Sequence, residues 1–265
     1  YSAAVVGVEL LIHNTGSSNR NFGVRKNGST DARNGLLLGY PGGTLVGARI
    51  GVDSAGLFEA YISATDLDVY LVGFYVSTDA VFFTNAVDKS QNTTTTWVDT
   101  DISSDTGGDT AIAAFLERDG ATARIFAVRK NGSTDTRNAV SNGYHSFVLT
   151  AVDGSEIFEQ YINGTDADLF LNGYLKSGGT FHTNATDRSA GSGGSYVSVT
   201  ALPAGAIAGV YDLYTTASVP TRHGLRAAGA SFDIYAGPYL RSHQVVKCDA
   251  SGGIEQKVAS VDADL

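Results

Sequence analysis

One stretch of this chain is written twice, and that constrains its fold more than any other feature. Phe22-Gly23-Val24-Arg25-Lys26-Asn27-Gly28-Ser29-Thr30-Asp31 returns as residues 126–135, with Ala127 in place of Gly23. Self-similarity of this kind marks one structural unit used several times along the chain. A second word widens the repeat to three copies: Asp53 and Glu59, Asp153 and Glu159, and Asp249 and Glu255 keep the same interval. The third copy is the most divergent, with His223-Gly224-Leu225-Arg226 at the place of Phe22-Gly23-Val24-Arg25 and Ala227 at the place of Lys26. Divided this way, the 265 residues give modules of roughly ninety to a hundred residues, the size of a small β-sandwich.

The local signals are those of strands. Met is absent, there are 4 prolines, and Gly, Thr, Ser, Tyr and Phe are frequent, which favours short strands joined by turns. Asn27-Gly28 and Asn131-Gly132 lie between extended segments and predict type I′ hairpin turns. Residues 45–52 and 57–62 predict a second hairpin about Asp53-Ser54-Ala55-Gly56. Residues 68–75 are apolar on both faces, the mark of a strand that is central or lies at a module contact. The expected fold is all-β: tandem antiparallel β-sandwich modules, immunoglobulin-like or jelly-roll, over residues 1–90, 91–189 and 190–265. A loose Gly/Ser linker over residues 189–195 leads into the third module.

The terminal copies differ from the middle one in complementary ways. Nothing before Ala4 stands for the opening strand that residues 97–102 form in the second copy and Tyr196-Val197-Ser198-Val199-Thr200 in the third. Val261-Asp262-Ala263-Asp264-Leu265 matches residues 65–69, and the remainder of the two-faced apolar strand has no counterpart in the third copy. One account is a window on a longer array, or a chain that starts, as Tyr1 without Met suggests, after processing or truncation. The other is strand donation between successive subunits, which fills an unpaired edge and gives filaments.

Charge narrows the classes of partner. With 18 Lys and Arg against 27 Asp and Glu, a net charge of -9, the chain does not suit nucleic acid, and it has no polybasic membrane patch. No segment is apolar for long enough to span a bilayer. The single cysteine, Cys248, has no internal partner for a disulfide and reads as a small core or strand residue.

No residue set carries catalysis. A triplicated Asp–Glu pair is better explained by a turn aspartate followed by an outward glutamate than by paired catalytic carboxylates. The five histidines sit at unlike repeat positions and form no metal-ligand or nucleophile-base pattern. Asp66 and Asp68, Asp166 and Asp168, and Asp262 and Asp264 are the oxygen donors from which a calcium ion in a module seam would draw; no calcium-loop motif accompanies them, and no metal or other cofactor is expected. The acidic run Asp99, Asp101, Asp105, Asp109 occurs once. Arg25, Arg129 and Arg226 recur and are expected to pair with a carboxylate such as the hairpin glutamate. Asn27, Asn92, Asn131, Asn163 and Asn184 head Asn-x-Ser/Thr sequons, candidates for N-glycosylation in an exported protein.

Three words, Val24-Arg25-Lys26-Asn27-Gly28-Ser29-Thr30-Asp31 with its repeat, the Val52-Asp53 to Phe58-Glu59 hairpin with its repeat, and Asp68-Val69-Tyr70-Leu71-Val72-Gly73, resemble tandem modules of tailed-phage structural proteins and of prokaryotic extracellular surface or appendage proteins. That resemblance implies a non-enzymatic role on a virion surface or in an extracellular filament; the complementary ends add copies of the chain or neighbouring modules as end-to-end partners. Surface proteins or glycans are the other partners it suggests. The alternative is a carbohydrate-binding adhesin array in which Trp97, Tyr196 or the hairpin arginines would grip a glycan.

Overall fold

The computed structural model describes residues 4–39, 43–120, 122, 124–140, 145–190, 194–199, 202–203, 205–215, 223–231, 241–258 and 263–264. Residues 191–193 of the predicted linker, Thr200, Val261, Asp262 and Leu265 lie outside them. Every regular element among the described residues is a strand, as the sequence predicts.

The first module contains β1 (Val5–Asn14), β2 (Arg20–Lys26), β3 (Gly35–Leu37), β4 (Thr44–Gly51), β5 (Phe58–Ile62) and β6 (Leu67–Val76). They form two antiparallel three-stranded sheets, β4-β1-β6 and β3-β2-β5. The second module contains β7 (Ala80–Asp88), β8 (Trp97–Asp101), β9 (Ala113–Gly120), β10 (Ile125–Lys130), β11 (Ala139–Val140), β12 (His145–Ala151), β13 (Ile157–Ile162) and β14 (Ala167–Leu175). Its sheets are four-stranded, β12-β9-β14-β7 and β11-β10-β13-β8. Eight strands in two four-stranded sheets, with the chain passing from one sheet to the other at most connections, make the jelly-roll form of β-sandwich. The third module contains β15 (Val197–Val199), β16 (Ala208–Thr215), β17 (His223–Ala227), β18 (Arg241–Lys247), β19 (Ile254–Val258) and β20 (Ala263–Asp264), in sheets β18-β16-β20 and β15-β19-β17.

Each sandwich has a core built mainly from its own alternating apolar residues. Val8, Leu10 and Ile12 of β1 face Phe22 and Val24 of β2 across the first core. Leu116, Phe126, Val128, Phe158, Ile162, Leu169 and Leu171 fill the second, and Val199, Tyr211, Leu213, Val246, Cys248 and Ile254 the third. Cys248 is buried there, its thiol 3.0 Å from the Ala206 carbonyl, in the small-residue role its isolation implied.

Three local expectations change. Residues 45–62 are not a hairpin, because β4 joins the β1 sheet and β5 joins the β2 sheet. The Asp53 turn therefore crosses the sandwich, held by Gly56 N–H to Asp53 O at 3.0 Å and by the Asp53 side chain accepting from Ala55 N–H and Leu57 N–H at 2.9 and 2.8 Å. The Asn27-Gly28 turn is not type I′ either. Only Gly28 has positive φ (79°), with Ser29 N–H bonded to Lys26 O at 3.0 Å, which is the type II pattern. Finally, β7 is hydrogen-bonded to β14, with Tyr174 opposite Val81, so it completes a sheet of the second module and the seam falls just before it rather than at residue 90.

The modules do not hang as separate beads. The equivalent strands β4, β12 and β18 converge, each touching the other two. All of β4 is buried, since Val46, Ala48 and Ile50 face its own core while Gly47 lies against the third module, where a Cβ would meet His243 O at 2.9 Å. Phe147 of β12 is buried in the first module's core, with Phe22, Leu37 and Val46. Gly7 and Gly51 leave room for the Phe82 ring of β7, which stacks on Phe115 with centroids 4.5 Å apart.

Candidate functional site

The duplicated stretch turns out to hold one module to the next. After the turn at Asn27-Gly28, Ser29 Oγ and Thr30 N–H donate to Asn85 Oδ1 at 3.0 and 2.8 Å, and Asp31 accepts from Ala86 N–H at 2.8 Å. The second copy repeats this on its own downstream segment: Ser133 Oγ and Thr134 N–H reach Asn184 Oδ1 at 2.9 and 2.8 Å, and Asp135 accepts from Ala185 N–H at 2.8 Å. The third module has Ala230 and Ser231 where this clamp has Ser29 and Thr30, and Phe232 replaces Asp31 in the sequence.

Arginines just beyond the clamp continue it. Arg33 donates from Nε and Nη2 to the two carboxylate oxygens of Glu117 in the second module, both at 3.0 Å, and its guanidinium lies 4.1 Å from the Phe170 ring centroid. Glu117 is buried, accepts from Asn172 at 3.1 Å, and lies 3.2 Å from His145 Nε2. Burial works against the charge of Arg33, but Glu117 and Asp31 outweigh it and raise its pKa. Arg137 stands in the same relation to the third module, 3.7 Å from Asp212, which His243 approaches at 3.3 Å. A buried pair of this kind fixes geometry more surely than it adds stability.

The remaining predicted residues have structural partners. The hairpin glutamates meet the recurring arginines as expected: Glu59 with Arg25, Glu159 with Arg129 at 2.8 Å, and Glu255 with Arg226 at 2.6 Å. Asp153 and Asp249 bond their own turns in the manner of Asp53. Asp66 is held by Arg20 at 2.6 Å and Asp166 by Arg124 at 2.5 Å; the Arg124 bond, with one from Thr122, lowers the Asp166 pKa to about 2. Asp68 accepts from the Tyr70 hydroxyl at 3.2 Å. Of the sequon residues, Asn27 and Asn131 donate to Asp53 and Asp153 at 2.6 and 2.8 Å. Asn163 accepts from Ile125 N–H at 2.9 Å, Asn184 is the clamp acceptor, and Asn92 is exposed. The face of Trp97 covers the guanidinium of Arg129 at 4.0 Å, and Tyr196 covers that of Arg226 at 3.7 Å.

The sequence leaves the first copy without an opening strand, and among the described residues its edge is open on the second sheet as well. In the second module β14 is interior, flanked by β9 and β7, and β13 is interior, flanked by β10 and β8. Their equivalents β6 and β5 are edge strands, and the sandwich has no counterparts of β7 and β8 among the described residues. The two-faced apolar strand predicted to be covered is thus interior in one copy and at a sheet edge in the other. Leu71 is 66% exposed against 0% for Leu171, Phe74 is 46% against 3% for Tyr174, and Ile62 is 46% against 0% for Ile162. Polar occupants of the same edge would not be costly to leave wet; apolar ones such as Leu71 and Ile62 are.

The fold and this edge together define a class: tandem jelly-roll sandwiches, clamped in series, whose first member has β6 and β5 at sheet edges among the described residues. Compared with known proteins, the chain matches no family model and no curated protein.

Proposed function

We infer that the chain is a non-enzymatic structural protein of an extracellular filament or virion surface, assembling end to end by acquiring strands at the open edge of its first module. One observation carries this reading: Leu171 and Ile162 are fully buried in the second module, while their equivalents Leu71 and Ile62 are 66% and 46% exposed in the first. Covering Leu71 and Ile62 would contribute roughly 1–2 kcal/mol each, given how much of each is exposed. Two new ladders of backbone hydrogen bonds would add register. Rigid clamps at the module seams suit a load-bearing role, since they hold successive modules in one geometry. The carbohydrate-binding alternative has less support, because one face of each candidate ring is already occupied, by Arg129 on Trp97 and Arg226 on Tyr196.

Sedimentation velocity and electron microscopy of the 265-residue chain test the reading. Concentration-dependent association, lost on Leu71→Lys, is the expected result. A chain that stays monomeric at all accessible concentrations overturns it.

A further inference from the structure

The same edge specifies what fills it, an inference that rests on the assembly reading above and sharpens it. Three equivalent Arg–Glu pairs lie at one register position, Arg25 opposite Glu59, Arg129 opposite Glu159, and Arg226 opposite Glu255. In the second and third modules an aromatic residue roofs the arginine, Trp97 at the start of β8 and Tyr196 immediately before β15. The roof closes the pair off from water. Side-chain exposure is 15% and 14% for Arg129 and Glu159, and 19% and 19% for Arg226 and Glu255. For Arg25 and Glu59 it is 39% and 40%. Arg25 is otherwise placed as Arg129 is, bonded to its glutamate and to the carbonyl of Asp31 as Arg129 is to that of Asp135. The platform is built, and the ring that belongs on it is not among the described residues.

Register fixes where that ring must come from. Trp97 pairs with Tyr161 and Asp101 with Ile157, so a strand entering beside β5 in the same register puts its first residue opposite Tyr61 and over Arg25. Tyr61 and Leu57 are exposed, as such a seat requires. Alongside β6, a first strand of alternating apolar residues like Val81 and Val87, which pack against the second core, would cover Leu71. One difference marks the occupant as less tightly tied: Gln160 bonds Lys89 O at 2.8 Å and Gln256 accepts from Ala190 N–H at 2.7 Å, whereas Ala60 offers no amide to the segment's connecting loop.

We propose that the open edge of the first module takes a two-strand polypeptide segment of the β7–β8 kind, whose second strand begins with a tryptophan or tyrosine that stacks on Arg25. The probe is a synthetic peptide copying residues 79–102 of this chain, labelled with a fluorophore and titrated with the 265-residue protein at low concentration. Cation–π stacking with burial of the ring is worth about 1–2 kcal/mol, so the peptide carrying Trp97→Ala should bind roughly tenfold more weakly, while Trp97→Tyr stays within about threefold of the parent. In the Arg25→Ala protein the Trp and Ala peptides should bind alike; Arg25→Lys, which keeps the charge and the glutamate partner, should restore part of the difference. Absence of binding, equal binding of the Trp and Ala peptides to the parent protein, or discrimination that survives Arg25→Ala overturns the proposal. Aromatic-dependent peptide binding by a chain that never self-associates would remove the proposed function and leave this inference standing. Self-association indifferent to Arg25 would do the opposite.

Discussion

Replacing Phe147 with alanine should loosen the first module, although the residue belongs to the second. Phe147 is 2% exposed, and its ring fills the first module's core beside Phe22, Leu37 and Val46. The His145 ring lies edge-on to both Phe147 and Phe22, with centroids 5.1 and 5.2 Å away. Truncation removes a fully buried ring from a site whose walls are set by two modules and which cannot easily collapse. A Phe→Ala change in such a core costs about 3–5 kcal/mol, of which the cavity is a large part. At 1.4 kcal/mol per tenfold, that raises the population of the opened first module by about a hundred- to a thousandfold or more. Hydrogen exchange followed by mass spectrometry reads this strand by strand. The expected outcome is lost protection in β2, β3 and β4 at least as large as in β12, with the second core, built on Phe158 and Leu171, holding. Loss confined to residues 113–175 would refute the reasoning, since it would mean that each module closes its core alone.

Three further outcomes are expected. Gly47→Val sets a side chain against the His243 backbone, 2.9 Å from where the Cβ would stand, and should lower the melting temperature and deprotect β18; an unchanged transition would mean that the first and third modules do not touch there in solution. Asn85→Ala and Asn184→Ala each remove the acceptor of a clamp and should destabilise by about 1–2 kcal/mol in chemical unfolding, with faster exchange in the segment next to each; no effect at either site would sink the clamp. His223 is buried in the third module, and burial lowers its pKa from 6.5 to about 3. The unfolded chain therefore binds a proton below pH 6.5 that the folded one refuses, and stability is lost as pH falls from 6.5 towards 3, at most by about 1.4 kcal/mol per unit. Unfolding midpoints measured across that range should show this slope, and His223→Gln should flatten it.

Much of the local chemistry was legible from the repeat. Three copies of the Asp–Glu interval identified a turn aspartate and an outward glutamate, and Arg226 surviving where Lys26 becomes Ala227 identified the arginine as that glutamate's partner. These contacts are short-range or lie within one sheet, so spacing reports them. The turn type at Asn27-Gly28 and the supposed hairpin at Asp53 were misread, because neither dipeptides nor alternation say which sheet the next strand will enter. Nothing in the spacing of the duplicated word assigns a role to its Ser-Thr-Asp end. Its use depends on Asn85 and Asn184, far along the chain, and the only available hint was that Phe181-His182-Thr183-Asn184 repeats Phe82-Phe83-Thr84-Asn85.

By itself, then, the amino-acid order determined an all-β chain of three related sandwiches, each with its own alternating core, its turn aspartates and its Arg–Glu pairs, because period-two alternation and turn chemistry are local properties that recur wherever the words recur. Tertiary structure alone decided that β4, β12 and β18 meet, that Phe147 serves a neighbour's core, and that β7 belongs to the second sandwich. It also decided that the same apolar strand is sealed in β14 and bare in β6. Burial is a property of what lies alongside a strand, and two nearly identical stretches acquire opposite fates when only one of them has a neighbour.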